Sequence, residues 1–350
     1  MNNPIATSTN PASPATPVPL TTVATRDSVN RRFSVAPMMD WTDKHCRMFH
    51  RTLSKNALLY SEMVTTGALI FGDKHRHLAY NEGEHPVALQ LGGGDPADLA
   101  KCARLAEEYG YDEINLNVGC PSDRVQNNMI GACLMEYPEK VRDCMSAMLD
   151  AATIPVTIKH RLGIDELDSD EHLHHFVDTV KASGCTTFIV HARKAILQGL
   201  SPKQNRDVPP LQYERVYQLK QLFPELEIIL NGGVKTLDEC QHHLQHIDGV
   251  MMGREAYQNP YILAEVDNRL YDDNHALMSR IESVEAYLPY IETQLKQDVY
   301  LNHISRHILN IFHGMPGGKQ FRRLISEQAH KPGAGIEVIH QALSKIKDFT

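Results

Sequence analysis

The chain of 350 residues contains 43 acidic and 35 basic residues, a formal net charge of −8 at pH 7, and 42% hydrophobic residues. This is the composition of an ordinary globular protein, and its acidic balance excludes a general polyanion binder, so nucleic-acid binding would require a local basic patch. No stretch reaches the ~18 apolar residues of a membrane span, so we expect no membrane partner.

Residues 1–31 are predicted to form a disordered tail. They are rich in Pro, Thr, Ser, Asn and Ala and lack the apolar segment of a secretory signal. An organellar presequence is the alternative, because no acidic residue precedes Asp27, although Arg appears only at 26, 31 and 32. The seven cysteines have neither CxxC pairs nor framework spacing, which is typical of free thiols in a reducing compartment. We therefore expect a cytoplasmic protein.

From residue 33 onward, short apolar strands alternate with amphipathic helices. Asp95 and Pro96 predict the start of one helix, Gly110 its end, and Thr236 with Glu239 forms a capping box for another. The Gly-Gly-Gly-Asp stretch at 92–95 is read as a turn into the first of these helices rather than as a phosphate loop. The predicted strands are 33–37, 58–63, 86–91, 114–118, 155–160, 187–192, 227–232 and 249–253.

Eight strand–helix units over residues 32–265 predict a (β/α)8 TIM barrel. A doubly wound sheet is the alternative, but no GxGxxG follows the first strand. After residue 265 the strands stop, and residues 275–350 predict an all-helical C-terminal domain. That segment carries nine basic and seven acidic residues, whereas the rest of the chain is strongly acidic.

Polar residues and glycines mark the carboxyl ends of the predicted strands, where barrel active sites lie. A single polar residue at a strand end more often forms a hydrogen bond with a neighbouring loop, but together these residues favour a ligand site. Gly232 and Gly233 allow close backbone approach to a phosphate, and Arg254 can add a charged contact. The residues at these ends are Pro37, Met38, Met39, Gln90, Asn117, Cys120, Lys159, His191, Asn231, Gly232, Gly233, Gly253 and Arg254.

Two predicted loops on the same face, 119–137 and 193–212, are longer than usual and indicate a lid or a substrate larger than a metabolite. The second carries Arg193, Lys194, Lys203 and Arg206. His242 and His246 have the i, i+4 spacing of a metal pair, but no carboxylate or cysteine completes a site, and we expect no metal.

Several long motifs resemble those of the tRNA-dihydrouridine synthases, specifically the A subfamily. They are VAPMMDWTD, EMVTTGAL, QLGGGDP, EINLNVGCPSDRVQ, GACLM, FIVHARKA, GLSPKQNR, LNGGV and DGVMMGREAYQNP, and the resemblance runs from about residue 32 to the C-terminus. It implies an FMN-containing barrel with a helical tRNA-binding domain. It also implies reduction of the C5–C6 bond of uridine at positions 20 and 20a of the tRNA D-loop, with NADPH as reductant.

The same resemblance implies roles for single residues. Hydride would pass from N5 of the flavin to C6 of the uracil, and Cys120 would give the proton to C5; Cys133, in the same loop, is the rival thiol. We read the remaining cysteines as small buried hydrophobes. The implied FMN contacts are Pro37, Met38, Met39, Gln90, Lys159, His191, Asn231, Gly232, Gly233, Gly253 and Arg254. The implied tRNA contacts are Asn117, Lys203, Arg206, Lys319, Arg322 and Arg323.

Two other functions share parts of this pattern. An FMN barrel dehydrogenase acting on a free pyrimidine or dihydroorotate would have the same strand ends without the basic helical segment. A non-catalytic RNA-binding protein could retain an inactive barrel, but the combination of Cys120, Lys159 and the glycine pair argues against it. We expect the chain to act as a monomer.

Overall fold

The computed structural model describes residues 29–122 and 129–346. The predicted tail lies outside these ranges except for residues 29–31. Val29 and Arg31, which the prediction assigns to the tail, are buried, at 8% and 6% exposure, and Arg31 pairs with Glu113 inside the barrel. Residues 123–128 of the predicted 119–137 loop also lie outside the described residues.

The strands form a closed parallel barrel in which each strand pairs with the next and the last pairs with the first. This confirms the predicted (β/α)8 fold. The strands are Phe33–Val35 (β1), Leu58–Thr65 (β2), Val87–Gly92 (β3), Glu113–Val118 (β4), Val156–Arg161 (β5), Thr187–His191 (β6), Glu227–Asn231 (β7) and Gly249–Met252 (β8).

The predicted strand ends differ from the observed ones by at most two residues. β1 stops at Val35 rather than at 37, because Pro37 has no N–H to give to a ladder. β2 continues to Thr65, which pairs with Gly92 beyond an irregularity in register between Tyr60 and Met63. β5 continues to Arg161, which has consequences for the site.

The helices surround the barrel and then continue past its last strand. Asp95 caps the helix at 96–108 by accepting from Asp98 N at 3.0 Å, and Thr236 forms the predicted capping box with Glu239. The helices are Lys44–Leu53 (α1), Thr66–Phe71 (α2), Lys74–Leu78 (α3), Pro96–Glu108 (α4), Pro138–Ala151 (α5), Asp170–Lys181 (α6), Tyr213–Leu222 (α7), Leu237–His243 (α8), Arg254–Gln258 (α9), Val266–Leu270 (α10), Arg280–Leu295 (α11), Leu301–Ser305 (α12), Gly318–Gln328 (α13) and Glu337–Leu343 (α14).

The C-terminal helices pack against α1. Tyr287 on α11 is fully buried, its ring centroid lies 5.2 Å from that of Phe49, and its hydroxyl donates to the carbonyl of His45 at 2.7 Å. Asp43, the N-cap of α1, pairs with Arg306 at 2.5 Å and with His307 at 3.0 Å. Barrel and C-terminal helices therefore share one continuous hydrophobic core. Within the described residues, no helix combines the length and apolar character that crossing a bilayer requires.

Candidate active site

The turn after β1 brings Met38 and Met39 to the barrel mouth. Met38 N donates to Thr42 Oγ1 at 2.9 Å, and the Met38 carbonyl accepts from Trp41 N and Thr42 N at 3.1 and 3.0 Å. Asp40 takes a positive φ of 64°, and Met39 is 56% exposed. The turn is thus fixed by its own hydrogen bonds while one methionine side chain faces outward.

Gln90 and Asn117 meet at the carboxyl ends of β3 and β4. Asn117 Nδ2 donates to Gln90 Oε1 at 2.8 Å, and Asn117 Oδ1 accepts from the backbone N–H groups of Gly119 and Cys120 at 3.1 and 3.0 Å. Gln90 is 1% exposed and Asn117 is 9% exposed. These bonds fix the path of the chain as it leaves β4, and that path places Cys120 beside the mouth.

Cys120 differs from every other cysteine in the chain. All seven are free thiols, and Cys120 alone is not buried. Its carbonyl accepts from Ala132 N at 2.9 Å. Gly131 has φ 84°, and a Cβ there would lie 2.4 Å from the Cys120 carbonyl oxygen, so this close approach requires glycine.

Cys133, the rival thiol, is bonded within its own loop. It is buried on a short 3-10 helix, Gly131–Glu136, and its Sγ donates to the carbonyl of Ile130 at 3.4 Å. Burial raises the pKa of the Cys133 thiol. Of the two loop thiols, Cys120 is the one that a substrate at the strand ends could reach.

Lys159 lies inside the mouth without a carboxylate partner among the described residues. Burial, then the neighbouring Arg161, lowers the pKa of the Lys159 ammonium to about 7, and the charge of Cys120 acts in the opposite direction. A half-buried ammonium of this kind attracts an anionic ligand.

Arg161 is a site residue that the sequence prediction did not include. Its side chain is 4% exposed, and burial lowers the pKa of the guanidinium to about 10, with Cys120 again opposing the shift. It lies two residues beyond Lys159 on β5, so both side chains face the barrel interior. Its nitrogens donate to the carbonyls of Gly119, Lys194 and Asn205 at 2.9, 3.1 and 2.9 Å. Arg161 therefore ties the loop after β4 to the loop after β6.

His191, Gly232 and Gly233 form a compact group at the ends of β6 and β7. Burial lowers the pKa of His191 well below its usual value, and its Nδ1 has no hydrogen-bond partner in the described part of the chain. Gly232 and Gly233 have φ of 112° and 75°. A Cβ at Gly233 would lie 2.4 Å from Leu211 Cδ1. Asn231 instead faces the barrel wall, where its Nδ2 donates to the carbonyl of Met251 at 2.8 Å.

Three guanidinium groups, two in the loop after β6 and one at the start of α9, gather around one carboxylate. Arg254, the first residue of α9, pairs with Asp207 at 2.7 Å and contacts the carbonyl of Arg206 at 3.4 Å. Burial and then Arg254 lower the pKa of Arg206, and burial lowers that of Arg193, which also senses Asp207 and Arg254. The excess positive charge suits a phosphate. Arg206 and Arg254, predicted for different ligands, thus lie together.

The remaining predicted cations lie elsewhere. Lys203 is exposed on the loop after β6. Lys319, Arg322 and Arg323 lie on α13, and Arg323, 76% exposed, pairs with Glu327 at 2.7 Å. Within residues 29–122 and 129–346, no hydrogen bond or ion pair joins these α13 side chains to the strand ends. His242 and His246 are exposed on the outer face of the barrel at α8 and just after it.

Comparisons with known proteins agree with this geometry. A protein-family profile described as dihydrouridine synthase (Dus) matches residues 34–347. The chain is 63% identical over 317 residues to the tRNA-dihydrouridine(20/20a) synthase of Yersinia pestis, covering 90% of this chain and 92% of that protein. It is 61% identical over 318 residues to the protein of the same name from Escherichia coli K12, covering 91% and 92%. An old yellow enzyme homologue from Zymomonas mobilis shares the fold with a TM-score of 0.50 and 13% identity, covering 74% of this chain and 96% of that chain.

Proposed function

Because the chain belongs to the dihydrouridine synthase (Dus) family, we propose that it reduces the C5–C6 bond of uridine at positions 20 and 20a of the tRNA D-loop. FMN is the proposed flavin and NADPH the proposed reductant. The observation that carries the proposal is Cys120: it is the one thiol of seven that is not buried, and it lies at a strand end beside Lys159 and Arg161.

The residues at the mouth fit FMN. The positive φ of Gly232 and Gly233 favours glycine at both positions, and Arg254 with its neighbouring arginines supplies charge for the phosphate. Within the described ranges, the buried Nδ1 of His191 has no partner and the half-buried ammonium of Lys159 has no carboxylate, so a polar ligand would satisfy both groups. When bound, FMN supplies the hydride for C6 of the uracil.

Cys120 then holds the proton for C5. Hydride addition leaves a carbanion-like centre at C5, and the Cys120 S–H bond breaks as the new C–H bond forms, which leaves a thiolate. Lys159 and Arg161 both interact electrostatically with Cys120, so their positive charge stabilises that thiolate. Asn117 and Ala132 hold the Cys120 backbone on both sides and keep the thiol at the mouth. Hydride and proton together complete the two-electron reduction.

The proposal is tested by turnover. Reduced protein is incubated with unmodified tRNA and, separately, with free uracil or orotate, and the products are identified by mass spectrometry. Dihydrouridine at positions 20 and 20a is the expected product. Reduction of the free bases alone would instead favour a dehydrogenase of free pyrimidines, and no turnover of either class would favour a non-catalytic RNA-binding protein.

The purified protein is expected to carry non-covalent FMN. The glycine pair and the arginines around Asp207 provide one phosphate site at the barrel mouth, which matches a mononucleotide. The absorbance spectrum of the protein and chromatography of the acid-released cofactor check this. Release of FAD, or a colourless protein that does not take up FMN, would contradict the assignment of the mouth residues.

The basic face of α13 is proposed to bind the tRNA backbone. Replacing Arg322 and Arg323 together by alanine should weaken tRNA binding and flatten its dependence on salt, because fewer counterions are released. NADPH reduction of the flavin should not change. Binding is measured across a salt series by fluorescence anisotropy.

The matched control removes two arginines from outer barrel helices, Arg104 and Arg142, and so changes the net charge equally. The control should retain the wild-type salt slope. Equal slopes in both double variants would place the tRNA contact on a surface other than α13.

A further inference from the structure

A row of buried polar side chains runs through the barrel interior from its amino-terminal end to Cys120. At its base, Glu113 is fully buried and pairs with Arg31 Nε at 2.6 Å. Thr157 Oγ1 donates to Glu113 Oε1 at 2.8 Å and accepts from Asn115 Nδ2 at 2.9 Å. Asn115 Oδ1 accepts from Gln90 Nε2 at 2.8 Å, and the row continues through Asn117.

At the base of the row, only one assignment of hydrogen-bond donors and acceptors is possible. A carboxylate paired with arginine accepts hydrogen bonds and donates none, so Thr157 must donate to Glu113. Tyr60 also donates to the same oxygen, and burial, then Glu113, raises the pKa of Tyr60 well above its usual value, which keeps that hydroxyl protonated. Since the hydroxyl hydrogen of Thr157 is used, its oxygen must accept from Asn115.

The same order of donor and acceptor then fixes the orientation of three side-chain amides. Asn115 turns its Nδ2 toward Thr157 and therefore its carbonyl toward Gln90. Gln90 turns its Nε2 toward Asn115 and its carbonyl toward Asn117. Asn117 turns its Nδ2 toward Gln90, which leaves its carbonyl for the N–H groups of Gly119 and Cys120.

The far end of the row demands the same direction independently. Two backbone N–H groups point at Asn117, and a reversed amide would set donors against donors. We propose that Glu113 and Thr157 are positioning residues that act through Asn115, Gln90 and Asn117 to hold the Cys120 turn. Any effect of these residues on the catalytic rate rests on the proposed role of Cys120. The donor–acceptor order of the hydrogen bonds in the row does not, because it is a property of the folded chain.

The row also determines what Gln90 offers to a ligand. Its carbonyl is engaged by Asn117 and one Nε2 hydrogen by Asn115, and the described residues provide no second acceptor for the other hydrogen. Gln90 is 1% exposed, so any ligand group that reaches this second hydrogen must meet it with an acceptor atom.

The test compares Thr157→Val with Thr187→Val. Thr187 is a matched control because it too is a buried threonine at the amino-terminal end of a strand, and its hydroxyl donates to Glu227 at 2.8 Å. Glu227 also pairs with Arg31 at 2.9 Å, but Thr187 bonds to none of the three amides of the row. In Thr157→Val, Asn115 loses its acceptor, so only the far end of the row still fixes the orientation of the three amides. Hydrogen exchange at the Gly119 and Cys120 amides should accelerate about tenfold, as expected for loss of about one hydrogen bond. Alkylation of Cys120 by iodoacetamide should accelerate in parallel.

Hydrogen exchange and alkylation need no tRNA, so they test the positioning of the Cys120 turn independently of the proposed reaction. Thr187→Val should match wild type in both, and Thr157→Ser should restore wild-type exchange because it keeps the hydroxyl. Unchanged Gly119 and Cys120 protection in folded Thr157→Val would overturn the proposal. Should that variant fail to fold, the wild-type protein decides: the Asn115 and Asn117 side-chain amide hydrogens must resist exchange in NMR spectra, and rapid exchange would overturn it equally. In a tRNA assay, Thr157→Val should lower kcat about tenfold with little change in KM.

Discussion

Cys120→Ala is expected to retain its flavin and to accept electrons from NADPH at the wild-type rate, yet to form dihydrouridine at least 10²-fold more slowly, within the ~10²–10⁴-fold range typical of a lost general acid. The physical reason is that alanine has no proton to give to C5, while the groups around the flavin site are unchanged. Stopped-flow absorbance follows flavin reduction, and single-turnover oxidation of the reduced protein by tRNA follows the second half-reaction.

Cys133→Ala is the matched control, because it removes a thiol from the same loop. The Cys133 thiol is buried and bonded to the carbonyl of Ile130, so its loss should alter stability slightly and turnover little. Normal turnover in Cys120→Ala with an inactive Cys133→Ala would exchange the roles of the two thiols.

FMN binding to the flavin-free protein is expected to take up close to one proton at pH 8, and Lys159→Met should abolish this uptake. In the ligand-free protein the pKa of Lys159 is about 7, so at pH 8 most molecules carry a neutral amine. An anionic ligand favours the ammonium and raises its pKa, so binding draws in a proton. Affinity should therefore fall up to about tenfold per pH unit from about pH 7 to the raised pKa.

Calorimetry in buffers of different ionisation enthalpy measures the proton uptake directly. The FMN phosphate is already doubly ionised above pH ~7, so it adds little to the slope in this range. Lys101→Met, a change at a lysine that is 54% exposed on α4, should behave as wild type. A persistent proton uptake in Lys159→Met would assign the linkage to another group at the mouth.

The architecture was accessible from the sequence because local signals agreed with one another. Strand and helix periods alternated, and caps at Asp95 and Thr236 marked helix starts that the structure confirms. Strand ends were less accurate, since an end depends on whether a neighbour supplies a partner. Thr65 belongs to β2 only because Gly92 lies opposite it.

The candidate site was predicted in outline but not in its internal connections. Arg161 was missed because the predicted strand stopped at residue 160, although alternation from Lys159 would have placed it inside the barrel. Thr157 lies in none of the quoted motifs, and Glu113 stands at the start of one without any signal of its role. Their connection follows from barrel register, which sets Asn115 opposite Thr157. The contact of Arg254 with the carbonyl of Arg206 depends on how the long loop after β6 folds back, which no short-range pattern encodes.

The packing of Tyr287 onto Phe49 and His45 also limits how this protein can evolve by recombination. A crossover between strand β8 and helix α11 would separate residues that share one core, so a hybrid of two relatives would combine α1 and α11 surfaces that had not changed together. Asp43, Arg306 and His307 add a charged match to the apolar one. The C-terminal helices are therefore expected to be inherited together with the first helix of the barrel, from which they are separated by more than two hundred residues of sequence.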